Sequence, residues 1–223
     1  MSEESAATTP QPSRKVHGRD IDATAPARCA CYAAWSELTA SPHDMDPRPG
    51  LREKFGAWQA VPHGKALDAL VTEFVDTDLD ALKRQYSGLF EVGSDGPPVP
   101  IREDLQTGQR AGTREDLVRF YDFFGYALAE RFAWAPDHLS VELEFMHYLC
   151  YGEAAAEDDP EPYQLAQVDF AERHLVRWVP EFAAKSANAA GDGIYGRVMT
   201  ALSDFILADY DWQSGTISAA EDN

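Results

Sequence analysis

Apolar residues recur at helical spacing along most of the chain, and the clearest example is the segment from Asp137 to Gly152. Successive residues lie about 100° apart on a helical wheel, which gathers the apolar side chains of this segment on one arc. These are Leu139, Val141, Leu143, Phe145, Met146, Tyr148 and Leu149. Pro136 is tolerated in a first turn, and Asp137 can accept hydrogen bonds from unpaired N–H groups there. The pattern therefore predicts a central helix that begins near Asp137.

Two ionisable side chains interrupt this apolar arc, because His138 and Glu142 lie one turn apart on the same side. A histidine and a glutamate on a buried face cost free energy unless they have hydrogen-bond partners. Two interpretations follow from the pattern. Either the side chains form a hydrogen-bonded pair inside the core, or they are the polar lining of a groove.

Helical spacing elsewhere favours an all-α fold, a single compact domain of about seven or more helices. Further helices are predicted over Ala25–Thr39, Leu51–Val61, Gly64–Val75, 77–90, 113–128, Gln164–Ala184 and Ala189–Tyr210. Thr77 with Asp80, and Thr113 with Asp116, resemble capping boxes, and Pro180 should bend its helix. No convincing strand, hairpin turn or internal repeat is predicted.

The ends of the chain and one internal segment lack helical periodicity. Residues 1–24 are predicted to be a disordered tail and residues 213–223 a frayed tail, which leaves the domain over 25–212. Glu91–Gly112 is rich in Gly and Pro. A structureless connection of about 20 residues inside a compact domain is unusual and is often functional. The alternative is a surface excursion without a function.

The charge of the chain limits its partners. Its 223 residues include 38 acidic and 19 basic residues, a formal net charge of -19. This disfavours nucleic acid and anionic membrane surfaces, which both require basic faces. A cationic peptide would be a suitable partner, although a cytoplasm with a high salt concentration would favour the same composition.

Cysteine content and hydropathy predict a cytoplasmic location. Cys29, Cys31 and Cys150 are an odd number without a Cys-x-x-Cys pair, which is not a disulfide framework. No apolar run approaches the roughly 18 residues of a transmembrane helix. We also expect no secretory signal, because the first residues form no apolar segment.

Candidate metal ligands are few. Glu144-x-x-His147 is half of a di-iron motif, but no second copy occurs, and the pair points away from His138 and Glu142. A metal-dependent helical enzyme with iron or zinc would need His138, Glu142 and a distant residue such as His174. The chain has no nucleophile elbow, Walker loop or dinucleotide fingerprint.

The central segment resembles the signature of the TorD/DmsD/NarJ family, cytoplasmic chaperones for molybdenum oxidoreductases. The matching residues are Pro136-Asp137-His138-Leu139 and Glu142-Leu143-Glu144-Phe145-Met146. Three further motifs agree in order: Tyr86-x-x-Leu89-Phe90, Pro98-x-Pro100-x-x-Glu103-Asp104, and Phe170-x-x-x-His174-Leu175-x-x-Trp178.

The resemblance implies an all-helical chaperone without catalytic turnover or a cofactor of its own. The implied partner is the catalytic subunit of a molybdenum oxidoreductase, bound in its apo form and through its twin-arginine signal peptide. By the same motifs, Asp137 and His138 are peptide-site residues next to the loop from Pro98 through Pro100 to Glu103. Tyr86, Leu89 and Phe90 are wall residues, whereas Phe145, Met146, His174 and Trp178 are structural. Either a monomer or a homodimer is compatible with these implications.

A signal peptide of this type carries two arginines followed by an apolar segment, so its receptor needs carboxylates beside an apolar groove. We expect Asp137 and Glu142 to supply the charge, and Trp134 to complete the wall. Two alternatives stay open: the metal-dependent enzyme described above, and a helical interaction module without a groove.

Overall fold

The computed structural model describes residues 14–108, 112–132 and 135–219, and it confirms the all-α prediction. Its ten α-helices are α1 Ile21–Thr39, α2 Arg48–Lys54, α3 Leu67–Asp76, α4 Leu79–Tyr86, α5 Glu103–Gln106, α6 Thr113–Phe124, α7 Leu139–Ala155, α8 Glu161–Phe170, α9 Val179–Ala190 and α10 Ile194–Ser214. Short 3-10 turns cover Pro62–Ala66 and Glu130–Phe132, and π-helical turns cover Ser87–Glu91 and Ala171–Leu175.

The predicted central helix is α7, which packs along α1 in the most extensive helix contact of the fold. The apolar arc predicted for this helix is the centre of the core. Leu139, Val141, Leu143, Phe145, Met146 and Leu149 are all fully buried. The Phe145 ring lies 4.8 Å from the rings of both Tyr121 and Phe170, so α7 also contacts α6 and α8. None of the helices in the described ranges is both long enough and apolar enough to cross a bilayer.

Several predicted helix ends differ from the structure, because capping groups and turns decide them. The helix predicted over Leu51–Val61 is α2, which ends at Lys54, and Gly64–Val75 divides between a 3-10 turn and α3. The cap predicted at Thr77 is at Asp78, whose carboxylate accepts the Ala81 N–H at 3.4 Å. The capping box predicted at Thr113 does not form, because the left-handed Gly112 precedes α6 without a side-chain cap.

The helix predicted over Gln164–Ala184 is two helices rather than one bent helix. α8 ends at Phe170, and the π-helical turn Ala171–Leu175 follows it. Trp178 then leaves the helical conformation, with φ of -130° and ψ of -31°, and α9 starts at Val179. Pro180 lies in the first turn of α9, where its missing N–H costs no hydrogen bond.

The structure also differs from the predicted tails and from the absence of strands. β1, Arg14–Val16, pairs antiparallel with β2, Ile217–Ala219. The Val16 N–H donates to Glu161 Oε1 at 3.3 Å, which joins this strand pair to the start of α8. α1 begins at Ile21 and α10 ends at Ser214, so parts of both predicted tails are strand or helix: 14–16 and 21–24 in the first, 213–214 and 217–219 in the second. The remaining parts of the predicted tails, 1–13 and 220–223, lie outside the described residues.

A buried ionic cluster near the C-terminus of α7 joins the four helices α1, α7, α8 and α10. The guanidinium of Arg28 is fully buried and donates to both carboxylate oxygens of Asp209, at 2.8 and 2.9 Å. It also donates to Gln167 Oε1 at 2.6 Å and to Glu153 Oε2 at 3.3 Å. The sequence pattern did not predict this cluster, because its members lie far apart along the chain.

Candidate functional site

The site begins at the N-terminus of α7, which is capped by His138 rather than by Asp137 as predicted. His138 Nδ1 accepts the Ser140 N–H at 3.2 Å and lies 2.8 Å from the Ser140 hydroxyl. Because Nδ1 is an acceptor, Nε2 carries the proton in the neutral ring. Nε2 lies 3.4 Å from the hydroxyl of Tyr86, which donates to the Thr39 carbonyl at 3.2 Å. Burial lowers the pKa of His138 to about 4, so the imidazole is neutral near pH 7.

Asp137 joins the loop before α5 to the start of α7. Its carboxylate is fully buried and accepts from Arg102 Nη2 at 2.8 Å and from the Asp104 N–H at 3.3 Å. The backbones pair at the same point, because the Glu103 N–H donates to the Asp137 carbonyl and the Leu139 N–H to the Ile101 carbonyl. The segment 91–112, predicted to be structureless, therefore contains a short helix, α5, at Glu103–Gln106.

A cavity of about 400 Å³ opens beside His138 and is called the His138 cavity below. Its walls are mostly apolar and aromatic, with polar groups at the edges. The lining residues are Ser41, Asp44, Tyr86, Phe90, Glu91, Pro97, Pro100, Ile101, Arg102, Leu105, Phe132 and His138. The π-helical turn after α4 and the 97–105 segment thus form two walls, and the cap of α7 forms a third.

The structure brings four of the predicted site residues together at this cavity: Tyr86, Phe90, Pro100 and His138. Leu89 is buried and supports the wall, because its carbonyl accepts the Val99 N–H at 3.0 Å. Pro98 is exposed and does not line the cavity. Trp134 lies outside the described residues.

The two carboxylates expected to face a peptide do not reach the cavity surface. Asp137 and Glu142 are both fully buried, and neither lines the His138 cavity. Glu142 Oε2 accepts from Trp178 Nε1 at 3.3 Å, whereas its Oε1 has no hydrogen-bond partner. Burial, with Glu103 and Asp137 nearby, raises the pKa of Glu142 well above its ordinary value, which favours the protonated form of the carboxyl group. His138 and Glu142 therefore have different partners and are not a pair.

His174 and Glu103 belong to a separate polar cluster. His174 Nδ1 lies 2.9 Å from Glu103 Oε2, and Nε2 lies 3.1 Å from Asp116 Oδ2, which also pairs with Arg173. This cluster lines a different cavity of about 520 Å³ together with Trp178. Burial raises the pKa of Glu103, although the hydrogen bond from His174 opposes that shift.

The metal-dependent alternative needed His138, Glu142 and His174 in one site. The structure gives each of them different hydrogen-bond partners. In the ranges that the structure describes, no three His, Cys, Asp or Glu side chains are grouped so that they could hold a metal ion.

The other alternative is a helical interaction module without a groove, and the structure agrees with only part of it. The apolar arc of α7 is buried except for the partly buried Tyr148, but the His138 cavity adjoins the first turn of the helix.

Sequence reasoning missed several residues of the cavity, above all Arg102, Phe132 and Asp44. Arg102 had a usable signal, because it lies within the loop motif that contains Pro100 and Glu103. The sequence contains no such signal for Asp44 and Phe132. Each lies in a short connection between helices, where helical periodicity does not predict contact with α7.

Comparison with known proteins places this architecture in a family. The family model described as nitrate reductase delta subunit matches residues 59–184, which is more than half of the chain. The selenate reductase assembly chaperone protein of Thauera selenatis is 35% identical over 158 residues, which cover 69% of this chain and 78% of the relative. The chlorate reductase assembly chaperone protein of Ideonella dechloratans is 41% identical over 108 residues, 46% of this chain and 56% of that protein.

Two more distant relatives agree over most of the chain. The chaperone protein TorD of Aliivibrio fischeri is 26% identical over 182 residues, 81% of this chain and 80% of the relative. The crystal structure of a protein from Archaeoglobus fulgidus, described as a candidate redox enzyme maturation protein, has the same fold with a TM-score of 0.52. It is 19% identical and covers 86% of this chain and 97% of its own. The chain therefore belongs to the nitrate reductase delta subunit family, the TorD- and NarJ-like redox enzyme maturation proteins.

Proposed function

We propose that this chain is a cytoplasmic chaperone for the catalytic subunit of a molybdenum oxidoreductase. It binds the twin-arginine signal peptide and the apo form of that subunit, and it delays export until the cofactor has been inserted. Membership of the family supports the chaperone role, and relatives with 35% and 41% identity are named as assembly chaperones of reductases.

The His138 cavity is the observation that carries the peptide-binding part of the proposal. An apolar stretch of a peptide can place side chains against Phe90, Ile101 and Leu105. Burial of apolar surface there contributes about 25 cal/mol per Å² to the free energy of binding. His138 and Tyr86 add aromatic ring surface to the same cavity, because their polar atoms already hydrogen bond to each other, to Ser140 and to Thr39.

Asp137 has a positioning role in this proposal. Its ion pair with Arg102 holds the 97–105 wall against the cap of α7, and this contact fixes the width of the cavity. The motif residues Asp137 and His138 thus contribute differently, since the imidazole touches the peptide and the carboxylate supports the wall.

Isothermal titration calorimetry with a synthetic peptide tests the proposal. The probe carries two adjacent arginines followed by about ten apolar residues, a length typical of signal peptides. Leu105→Ser removes apolar surface from the cavity at a side chain that is 38% exposed, so the fold should be little affected. We expect about fivefold weaker binding, which corresponds to about 1 kcal/mol.

Leu207→Ser is the matched control, because Leu207 is 41% exposed on α10 and does not line the cavity. Its affinity for the peptide should equal that of the wild type. Equal affinities for wild type, Leu105→Ser and Leu207→Ser would remove the His138 cavity as the binding site, and no binding by the wild type would refute peptide recognition itself.

A further inference from the structure

A second cavity of about 300 Å³ adjoins the His138 cavity and is called the acidic cavity below. The two cavities share Ser41, Asp44 and Phe132, so they are neighbouring parts of one groove. The acidic cavity is otherwise lined by residues from α1, the 44–54 segment and the exposed side of α7: Ala33, Ser36, Glu37, Ala40, Met45, Pro47, Lys54, Ser140, Glu144 and His147.

The side chains that line this groove carry more negative than positive charges. Lys54 neutralises Glu37 through an ion pair at 2.6 Å, and Arg102 is held by Asp137. The carboxylates of Asp44, Glu91 and Glu144 then remain without a cationic partner among the described residues. Glu91 accepts only from the hydroxyls of Ser41 and Ser87, and Glu144 interacts with the phenol of Tyr126.

The positions of these carboxylates differ from the sequence prediction. Asp137 and Glu142 were expected to meet the arginines of a peptide, but both are sealed in the interior. Asp44 and Glu144 are exposed to solvent, and Asp44 lies where the two cavities meet. Arg102 at the opposite wall of the His138 cavity would repel a second guanidinium, so an arginine is favoured toward the acidic cavity.

We infer that the acidic cavity binds the two adjacent arginines of the same peptide whose apolar segment occupies the His138 cavity. Asp44 is the central group, and Glu144 is the second carboxylate on the α7 side. Glu37 is not available to the peptide, because its Oε1 holds Lys54 and its Oε2 is buried. This inference rests on the proposed function, and it assigns recognition of the arginines to Asp44, which lies outside the family motifs, and to Glu144, which lies within one of them.

A double-mutant cycle by calorimetry tests the inference. The peptide with two arginines and a matched peptide with two glutamines are each titrated into wild type and into the double variant Asp44→Asn/Glu144→Gln. We expect the change from arginine to glutamine to weaken binding to wild type about tenfold, because two partly exposed ion pairs contribute up to about 1 kcal/mol each. The same change should weaken binding to the double variant less than about threefold.

Asp204→Asn/Asp211→Asn is the charge-matched control, because both residues are exposed on α10 and line neither cavity. It should retain the full tenfold difference between the two peptides. An equal arginine-to-glutamine penalty in wild type and in the double variant would overturn the inference. The proposed function would survive that result if the glutamine peptide still lost affinity in Leu105→Ser, whereas failure of both peptides to bind wild type would overturn both.

Discussion

At the scale of single residues, Glu142 beneath the site is the side chain whose protonation is most strongly changed by its surroundings. Its carboxyl is fully buried beside Trp178, and one of its oxygens has no hydrogen-bond partner. Burial raises its pKa well above the ordinary value of 4.5, so folding keeps a proton on this group that the unfolded chain releases. Glu142 therefore stabilises the folded state most at low pH, and its contribution decreases as the pH rises above 4.5.

Glu142→Gln should consequently make the protein less sensitive to high pH. The amide keeps the shape of the neutral acid but does not titrate, so the variant avoids up to about 1.4 kcal/mol of lost stability per pH unit. Urea denaturation of wild type and variant at pH 5 and pH 8 measures this effect. The stability gained by the variant should be larger at pH 8, and an equal difference at both pH values would contradict the assignment.

The sequence predicted that His138 and Glu142 lie on the inward side of a helix. Glu142 does lie there, whereas His138 is the partly buried N-cap residue that precedes α7. The sequence left open whether the two side chains pair with each other or line a groove. In the structure, His138 lines a cavity, whereas Glu142 is buried beside Trp178. The helical wheel reports only directions within one helix, whereas the partners Tyr86 and Trp178 come from other parts of the chain. The same limit explains why Asp137 was predicted to face a peptide, since its partner Arg102 belongs to another segment.

At the scale of helices, apolar periodicity predicted where most of them lie but not where they end. The ends depend on local groups that the spacing does not contain, such as the His138 cap and the left-handed Gly112. π-helical turns after α4 and α8 each add a register change that a regular wheel does not describe. The contact of α1 with α7 was also beyond the pattern, although both helices were predicted.

Arg28 should be essential to the packing of these helices. Arg28→Met would remove the buried guanidinium that pairs with Asp209 and Glu153, and removing one partner of a buried pair costs about 3–5 kcal/mol. Chemical denaturation followed by circular dichroism measures the loss. Arg84→Met is the control, because Arg84 is exposed on α4, and it should change stability by less than about 0.5 kcal/mol. Similar effects of the two substitutions would contradict the role of the cluster.

At the scale of the whole molecule, the net charge of -19 has opposite effects on folding and on binding. Repulsion among carboxylates disfavours the compact state, whereas the same field attracts a cationic peptide over a distance. At 0.1 M ionic strength, salt largely screens both interactions between charges more than about 10 Å apart.

Raising sodium chloride from low to moderate concentration should therefore raise the thermal midpoint and weaken the binding of the arginine peptide. Differential scanning calorimetry and titration calorimetry in the same buffers check the two directions. The glutamine peptide should show a smaller salt dependence than the arginine peptide. A thermal midpoint that falls with added salt would show that favourable ion pairs, such as those of Arg28, outweigh the general repulsion.

The pairing of β1 with β2 has a consequence for how the protein could be rebuilt. Arg14 and Ala219 are register partners, so the first and last described strands lie side by side. A short linker could join these positions, and the chain could be reopened in the exposed connection 156–160 between α7 and α8. In such a circular permutant, residues 14–155 would stay continuous and would still contain every lining residue of the His138 cavity.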